Sequence, residues 1–120
     1  MRLFKAQGNR ARRPPRPVVS QEIVQHLIQT DETDDGDFLA SLIQGVESRG
    51  NWRLTLIDPH SPTIDFNLHP ASQVVDYRGL NIPVVVQDGF VMDGSHRASA
   101  AFHQGELLPA YITQADLDRS

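Results

Sequence analysis

Pro83-Val-Val-Val-Gln-Asp-Gly-Phe-Val-Met-Asp-Gly-Ser-His-Arg-Ala-Ser-Ala-Ala101 is the stretch whose reading decides the fold. Val84, Val85 and Val86 form an apolar run short enough for a strand and apolar enough to be central in a sheet. Asp88-Gly89 is a two-residue hairpin turn, because both positions accept positive φ. Phe90-Val91-Met92 then returns as a second strand. Asp93-Gly94-Ser95 makes a sharp strand-to-helix corner, and residues 96–104 read as a helix. Its small side chains Ala98, Ser99, Ala100 and Ala101 let it lie close to a sheet. Gly105 ends it, Leu107 to Ile112 is a last strand, and Ala115–Arg119 a last helical turn.

Upstream of this unit, Ser20 can cap a short amphipathic helix over residues 21–29, with Ile23, Val24, Leu27 and Ile28 at helical spacing. Residues 30–37 form an acidic loop whose spacing does not meet that of a calcium loop, so a solvated loop with a helix cap is expected. Phe38, Leu39, Leu42, Ile43 and Val46 predict a second helix stopping near Arg49, with Gly50 supplying the left-handed residue. Residues 52–57 alternate as a strand that Asp58-Pro59-His60-Ser61-Pro62 breaks with turn chemistry. Pro70 opens a predicted short helix over 70–77, ended by Gly79. The expected fold class is α+β, a small mixed sheet surrounded by short helices, in one domain over residues 18–120.

Charge divides the chain. Residues 1–17 hold Arg2, Lys5, Arg10, Arg12, Arg13 and Arg16 and no acid, whereas the whole chain has a net charge of -4. A basic arm on an acidic body points to phosphate, nucleic acid, an acidic protein or the body itself as its contact, or to a solvated terminus. Pro14, Pro15 and Pro17 make residues 14–17 an extended, polyproline-like connector. No apolar run is long enough to span a membrane, and no apolar core follows the first basic residues as a secretory signal would require. The chain has 0 cysteines, which excludes disulfides, thiolate metal sites and cysteine nucleophiles and makes the cytoplasm the default expectation.

The corner carries the chemistry. A helix N-terminus presents unbonded N–H groups and a positive dipole end, both of which attract an anion. Gly94 allows close approach, Ser95 offers a hydroxyl, His96 a ring nitrogen and Arg97 a charged fork suited to phosphate oxygens. The same residues also satisfy a plain helix cap with a solvated arginine. A serine hydrolase would need Gly-x-Ser-x-Gly, whose downstream half is missing, and Ser95 and His96 are neighbours that do not face each other. His96 and His103 lie two helical turns apart, about 10 Å, too far to share a small metal ion.

This segment, with Gly105 and Leu108-Pro-Ala-Tyr-Ile112, resembles the ParB/sulfiredoxin-like superfamily and its pattern of strand, turn, strand, Asp-Gly-x-His-Arg, Ala-rich helix, Gly, strand. The resemblance runs from Leu54 to Ile112, with Leu56-Ile57-Asp58-Pro59 and Val74 to Tyr77 in the expected upstream places. It implies that Gly94, Ser95, His96 and Arg97 grip the phosphates of a nucleotide such as ATP, ADP or CTP. The sulfiredoxin branch has its catalytic cysteine where Ser95 stands, so sulfinic-acid repair is excluded. The partition branch carries a helix-turn-helix domain, for which the 8 residues after Ile112 leave no room. The corner looks nearest to the free-serine-kinase branch, which passes a phosphoryl group from a nucleotide to a small hydroxyl substrate.

Such a transfer needs an acid at the nucleophile and, in most cases, Mg²⁺. Asp93, Asp58 and Asp65 are the candidates, with His96 beside them, although Asp93 can serve as a cap and Asp58 as a turn former. Glu22, Glu32, Glu47 and Glu106 are the only candidates for that branch's catalytic glutamate, and none sits in a matching motif. Trp52, Tyr77 and Phe102 read as core. His60 and His69 flank a loop expected near the corner, and Arg78 can reach a phosphate or merely sit at a helix end. The leading expectation is a nucleotide-binding protein that transfers or hydrolyses a phosphoryl group. Its competitors are a non-catalytic nucleic-acid- or protein-binding module of the same fold, and a nuclease.

Overall fold

A computed structural model describes residues 15–30, 35–73 and 82–120. The described elements run β1 (Arg16–Val18), α1 (Ser20–Thr30), α2 (Gly36–Glu47), β2 (Trp52–Ile57), a 3-10 turn (Ala71–Gln73), β3 (Val84–Gln87), β4 (Phe90–Asp93), α3 (Ser95–Gln104), β5 (Leu108–Thr113) and α4 (Gln114–Arg119). The five strands form one mixed sheet in the order β1-β2-β5-β3-β4. β3 and β5 are parallel, joined through β4 and α3, and the other neighbours are antiparallel. The expected α+β class is the observed one.

Both faces of the sheet are covered, which is why β3 is buried along its whole length and Val84, Val85 and Val86 run on without alternating. Val84, Val86, Leu108, Ala110 and Ile112 pack with Ala98 and Ala101 of α3 and with Ile64 and Phe66 of the preceding loop. Val85, Tyr111 and Trp52 face the opposite way, onto Ile23, Val24 and Leu27 of α1 and Leu42 and Val46 of α2. The period-two switch between Val84 and Val85 therefore separates two cores. Trp52 is 1% exposed and donates its indole N–H to the Val46 carbonyl at 3.1 Å, so it is core.

The hairpin turn has φ 52° at Asp88 and 77° at Gly89, as its residue types require. Beyond it, the pairing slips. Val86 faces Val91, but Val85 faces Asp93, so Met92 is an extra residue in β4. A bulge of this kind bends a strand and re-aims the side chains that follow. Asp93 consequently shares a face with Val85, towards α1, where strict alternation would have sent it towards α3. The outer edge of β4 is covered by a bridge to Asp65, whose N–H donates to the Gly89 carbonyl at 2.7 Å and whose carbonyl accepts from Val91 N–H at 2.9 Å.

Several expectations change. From Arg16 onward, the polyproline-like connector is an edge strand, with Arg16 opposite Leu54 and Pro17 opposite Arg53. Pro17 fits because an edge strand can spare an N–H. The acidic loop is shorter than predicted, since Thr30 belongs to α1 and α2 begins at Gly36, with the Asp35 carboxylate accepting from Phe38 N–H at 3.0 Å. The left-handed residue after α2 is Asn51 (φ 58°), not Gly50. α2 closes instead through the Gly45 carbonyl, which accepts from Arg49 Nη1 at 2.6 Å and Ser48 Oγ at 2.9 Å. The helix expected over 70–77 is a single 3-10 turn in its described part, and its remainder, with Tyr77, Arg78 and Gly79, lies outside the described residues. The same holds for arm residues 1–14 and for Glu32.

Candidate functional site

The bulge, a glycine and a buried arginine build the corner together. Gly94 has φ 98°, a left-handed value that disfavours any side chain. A Cβ there would stand 2.6 Å from Val84 Cγ1 and 2.7 Å from Arg97 Nη2. The close approach at Gly94 is thus made by the protein's own arginine. The Arg97 side chain is 8% exposed and turns back beneath the corner, donating from Nη2 to the Asp93 carboxylate at 3.0 Å and to the Pro83 carbonyl at 3.2 Å. Its Nε is buried with no partner among the described residues.

His26 of α1 completes this underside. Its Nε2 lies 3.9 Å from the Asp93 carboxylate, too far for a hydrogen bond, and is also buried with no hydrogen-bond partner among the described residues. Burial pushes the His26 pKa down; the Asp93 carboxylate opposes that shift, while the Arg97 charge adds to it. The ring meets Tyr111 edge-on at 5.2 Å. Tyr111 in turn donates its hydroxyl to Glu22 at 3.0 Å, and burial together with that carboxylate raises its pKa to about 12.

The solvent side of the corner is built on α3. The first hydrogen bond within this helix runs from Ala98 N–H to the Gly94 carbonyl at 2.9 Å, and Gly94 supplies no side-chain cap, so the amides ahead of Ala98 have no partner within the helix. Beside them stands His69, from the loop expected near the corner. Four α3 residues hold it. Ser95 Oγ lies 3.0 Å from His69 Nε2, and the His96 ring stacks on the His69 ring at 4.0 Å and 11°. Ser99 Oγ accepts from His69 N–H at 2.7 Å, and His103 Nε2 donates to the His69 carbonyl at 3.0 Å. Ser99 also donates to the Ser95 carbonyl at 2.8 Å, which ties the two serines together.

The predicted site residues thus separate. Gly94, Ser95, His96, Arg97 and Asp93 share the corner, but Arg97 and Asp93 neutralise each other on its inner side. Asp58 is elsewhere: its carboxylate accepts from His60 N–H at 2.9 Å, and His60 stacks on Phe102 at 4.3 Å. Phe102 is seven residues along α3 from Ser95, about 10 Å. There Pro59, His60, Ile64, Phe66, Leu68 and Phe102 line an open groove of about 350 Å³. Asp65 serves the loop, its carboxylate accepting from Asn67 N–H at 2.9 Å. Glu22 is bound to Arg16 and Tyr111, Glu47 ends α2, and Glu106 follows the far end of α3.

These carboxylates do not fit a protein-held Mg²⁺ site. Asp93 is engaged by Arg97, Asp58 belongs to the loop whose His60 stacks on Phe102, and no group of three or more His, Asp or Glu residues able to hold a metal ion exists among the described residues. Also among them, no helix is long and apolar enough to cross a membrane. No protein-family model, curated protein or solved structure matches the chain.

Proposed function

We propose that the chain is a ParB/sulfiredoxin-like protein that binds the phosphate groups of a nucleotide at the N-terminus of α3. The carrying observation is the amides at the start of a ten-residue helix, entered through a left-handed Gly94 and flanked by Ser95, His96 and His69. The backbone from Gly94 to His96 forms the cradle, and the two imidazoles beside the Ser95 hydroxyl donate to phosphate oxygens. Arg97 works from beneath: held by Asp93, it fixes the corner's shape rather than reaching the ligand. The reaction this site serves is transfer of a phosphoryl group to a hydroxyl, or its hydrolysis.

The test is a thermal-shift and calorimetric screen of ATP, ADP, CTP and GTP with Mg²⁺, beside His96→Ala. His96 is exposed, so its loss weakens a ligand without undoing the corner. A ligand at 100 times its dissociation constant adds about 2.7 kcal/mol of stability. Stabilisation by one nucleotide, reduced in His96→Ala, is the expected result; no stabilisation by any of the four overturns the reading.

A second reading keeps the fold without catalysis, as a module whose basic arm docks on nucleic acid or an acidic protein. The engagement of Asp93 by Arg97 favours it. Binding to a polyanion that is steeply salt-dependent and lost when residues 1–14 are removed, with no nucleotide effect, would establish it.

A further inference from the structure

One residue of the loop ahead of the corner is held in place by four residues of the helix behind it, and it faces a hydroxyl. We propose that Ser95 is a nucleophile with His69 as its general base, and that Ser95 takes the terminal phosphoryl group of a bound nucleoside triphosphate, so that the chain phosphorylates itself. This rests on the nucleotide reading above.

Three observations lead there. The His69 Nε2 to Ser95 Oγ distance of 3.0 Å is that of a nucleophile and its base in hydrogen-bond reach. In the tautomer protonated at Nδ1, Nε2 accepts the hydroxyl proton. The base is also oriented: Ser99 and His103 fasten the two backbone ends of His69, and His96 fixes the plane of its ring. A loop histidine kept only for packing needs none of these, and residues 95, 96, 99 and 103 of one helix all serve it. Finally, Ser95 is the first residue of α3, where the phosphoserine dianion would meet the helix amides and the positive end of the dipole.

The step balances. Ser95 Oγ attacks the γ-phosphorus, and its proton passes to His69 Nε2. The new bond is Oγ–P. The bond between the γ-phosphorus and the bridging oxygen breaks, and the nucleoside diphosphate leaves with that oxygen. The proton on His69 is then lost to water.

The experiment incubates the full chain with Mg²⁺ complexes of ATP, GTP and CTP and follows its intact mass. Trypsin releases residues 79–97, in which Ser95 is the only hydroxyl-bearing side chain. One phosphoryl group on that peptide, stable to acid, absent in Ser95→Ala and added about 100-fold or more slowly in His69→Gln, is expected. Circular dichroism melts of both variants confirm that they fold. If a nucleotide raises Tm but Ser95 stays unmodified, this proposal falls and nucleotide binding stands. If no nucleotide raises Tm, both fall. An acid-labile label, marking a phosphohistidine at His69 or His96, or a His69→Gln rate equal to that of the parent chain, also overturns it.

Discussion

Asp88-Gly89 and Asp93-Gly94 stand at the two ends of β4, and the same dipeptide is used in opposite ways. At the hairpin tip the Asp88 side chain is 73% exposed and meets Arg49 at the end of α2 at 2.5 Å. Gly89 N–H donates to the buried carboxylate of Asp116 in α4 at 3.0 Å, and Asp116 in turn pairs with Arg119. At the tip the Asp88 carboxylate, the Gly89 N–H and the Gly89 carbonyl each have a partner, and the Asp88 side chain is exposed to water. At the corner the Asp93 side chain is 23% exposed, its arginine 8%, and two buried nitrogens, Arg97 Nε and His26 Nε2, have no hydrogen-bond partner among the described residues. The tip is an ordinary turn tied down by its neighbours. The corner carries left-handed backbone, a semi-buried ion pair and buried polar nitrogens without hydrogen bonds among the described residues at once, and such local conflicts are concentrated where a chain does chemistry.

Glycine substitution should separate the two turns most sharply. Gly94→Ala places a methyl group against Val84 and Arg97 at φ 98°, and should lower stability by about 3 kcal/mol in urea melts. Gly89→Ala meets only the Thr63 carbonyl, at 3.2 Å, and should cost about 1 kcal/mol. Equal losses would mean that the corner is no more crowded than the tip.

The arginines come next. Arg97→Met leaves a semi-buried carboxylate facing an apolar chain and should cost about 2–3 kcal/mol, part of it recovered by adding Asp93→Asn. Arg49→Met breaks an exposed pair and should cost less than about 1 kcal/mol, with high salt abolishing the difference. A larger loss at Arg49 than at Arg97 would reverse the comparison.

Acid should separate the two ends by range. His26 has a folded pKa below its ordinary 6.5, so its contribution is complete above 6.5 and is lost as pH falls through the folded value. His26→Gln should flatten the stability profile below pH 6.5. Asp88 is also depressed, by Arg49, from 3.8, so the tip keeps its contribution until pH falls below 3.8. A profile unchanged by His26→Gln would remove His26 from the acid response. The smallest effect is alkaline: Tyr111, raised from 10.0 to about 12, gives stability that is complete below pH 10 and declines as pH rises towards 12, and Tyr111→Phe should remove that decline.

Legibility in the sequence followed the range of the interaction. The hairpin, the corner, the stop at Gly105 and strand β2 were readable because each depends on φ preferences or periodicity within a few residues. The Gly94 corner was readable as backbone, but the owner of the close approach was not: nothing local says that Arg97 folds under Gly94 instead of reaching out. His26 left a trace, since it follows Ile23 by three residues on the helix that buries Ile23 and Leu27, yet the carboxylate it faces is 67 residues away. Ser95 and His96 are neighbours on one helix and do not form a reacting pair. The histidine that meets Ser95 lies 26 residues upstream, in a loop with no periodic signal.

Local sterics and apolar spacing were enough for an α+β fold, one hairpin aimed at a helix start, and the left-handed turns at Gly89, Gly94 and Gly105. Tertiary structure alone decided the rest. Whether the Pro-rich lead became a strand depended on a free edge of β2. Where Asp93 pointed depended on one extra residue in the pairing with β3. Which base reached Ser95 depended on a loop laid over α3 by Ile64 and Phe66 entering the core. Each of these is a choice between placements of similar local energy, and only packing and hydrogen bonding between distant segments separate them.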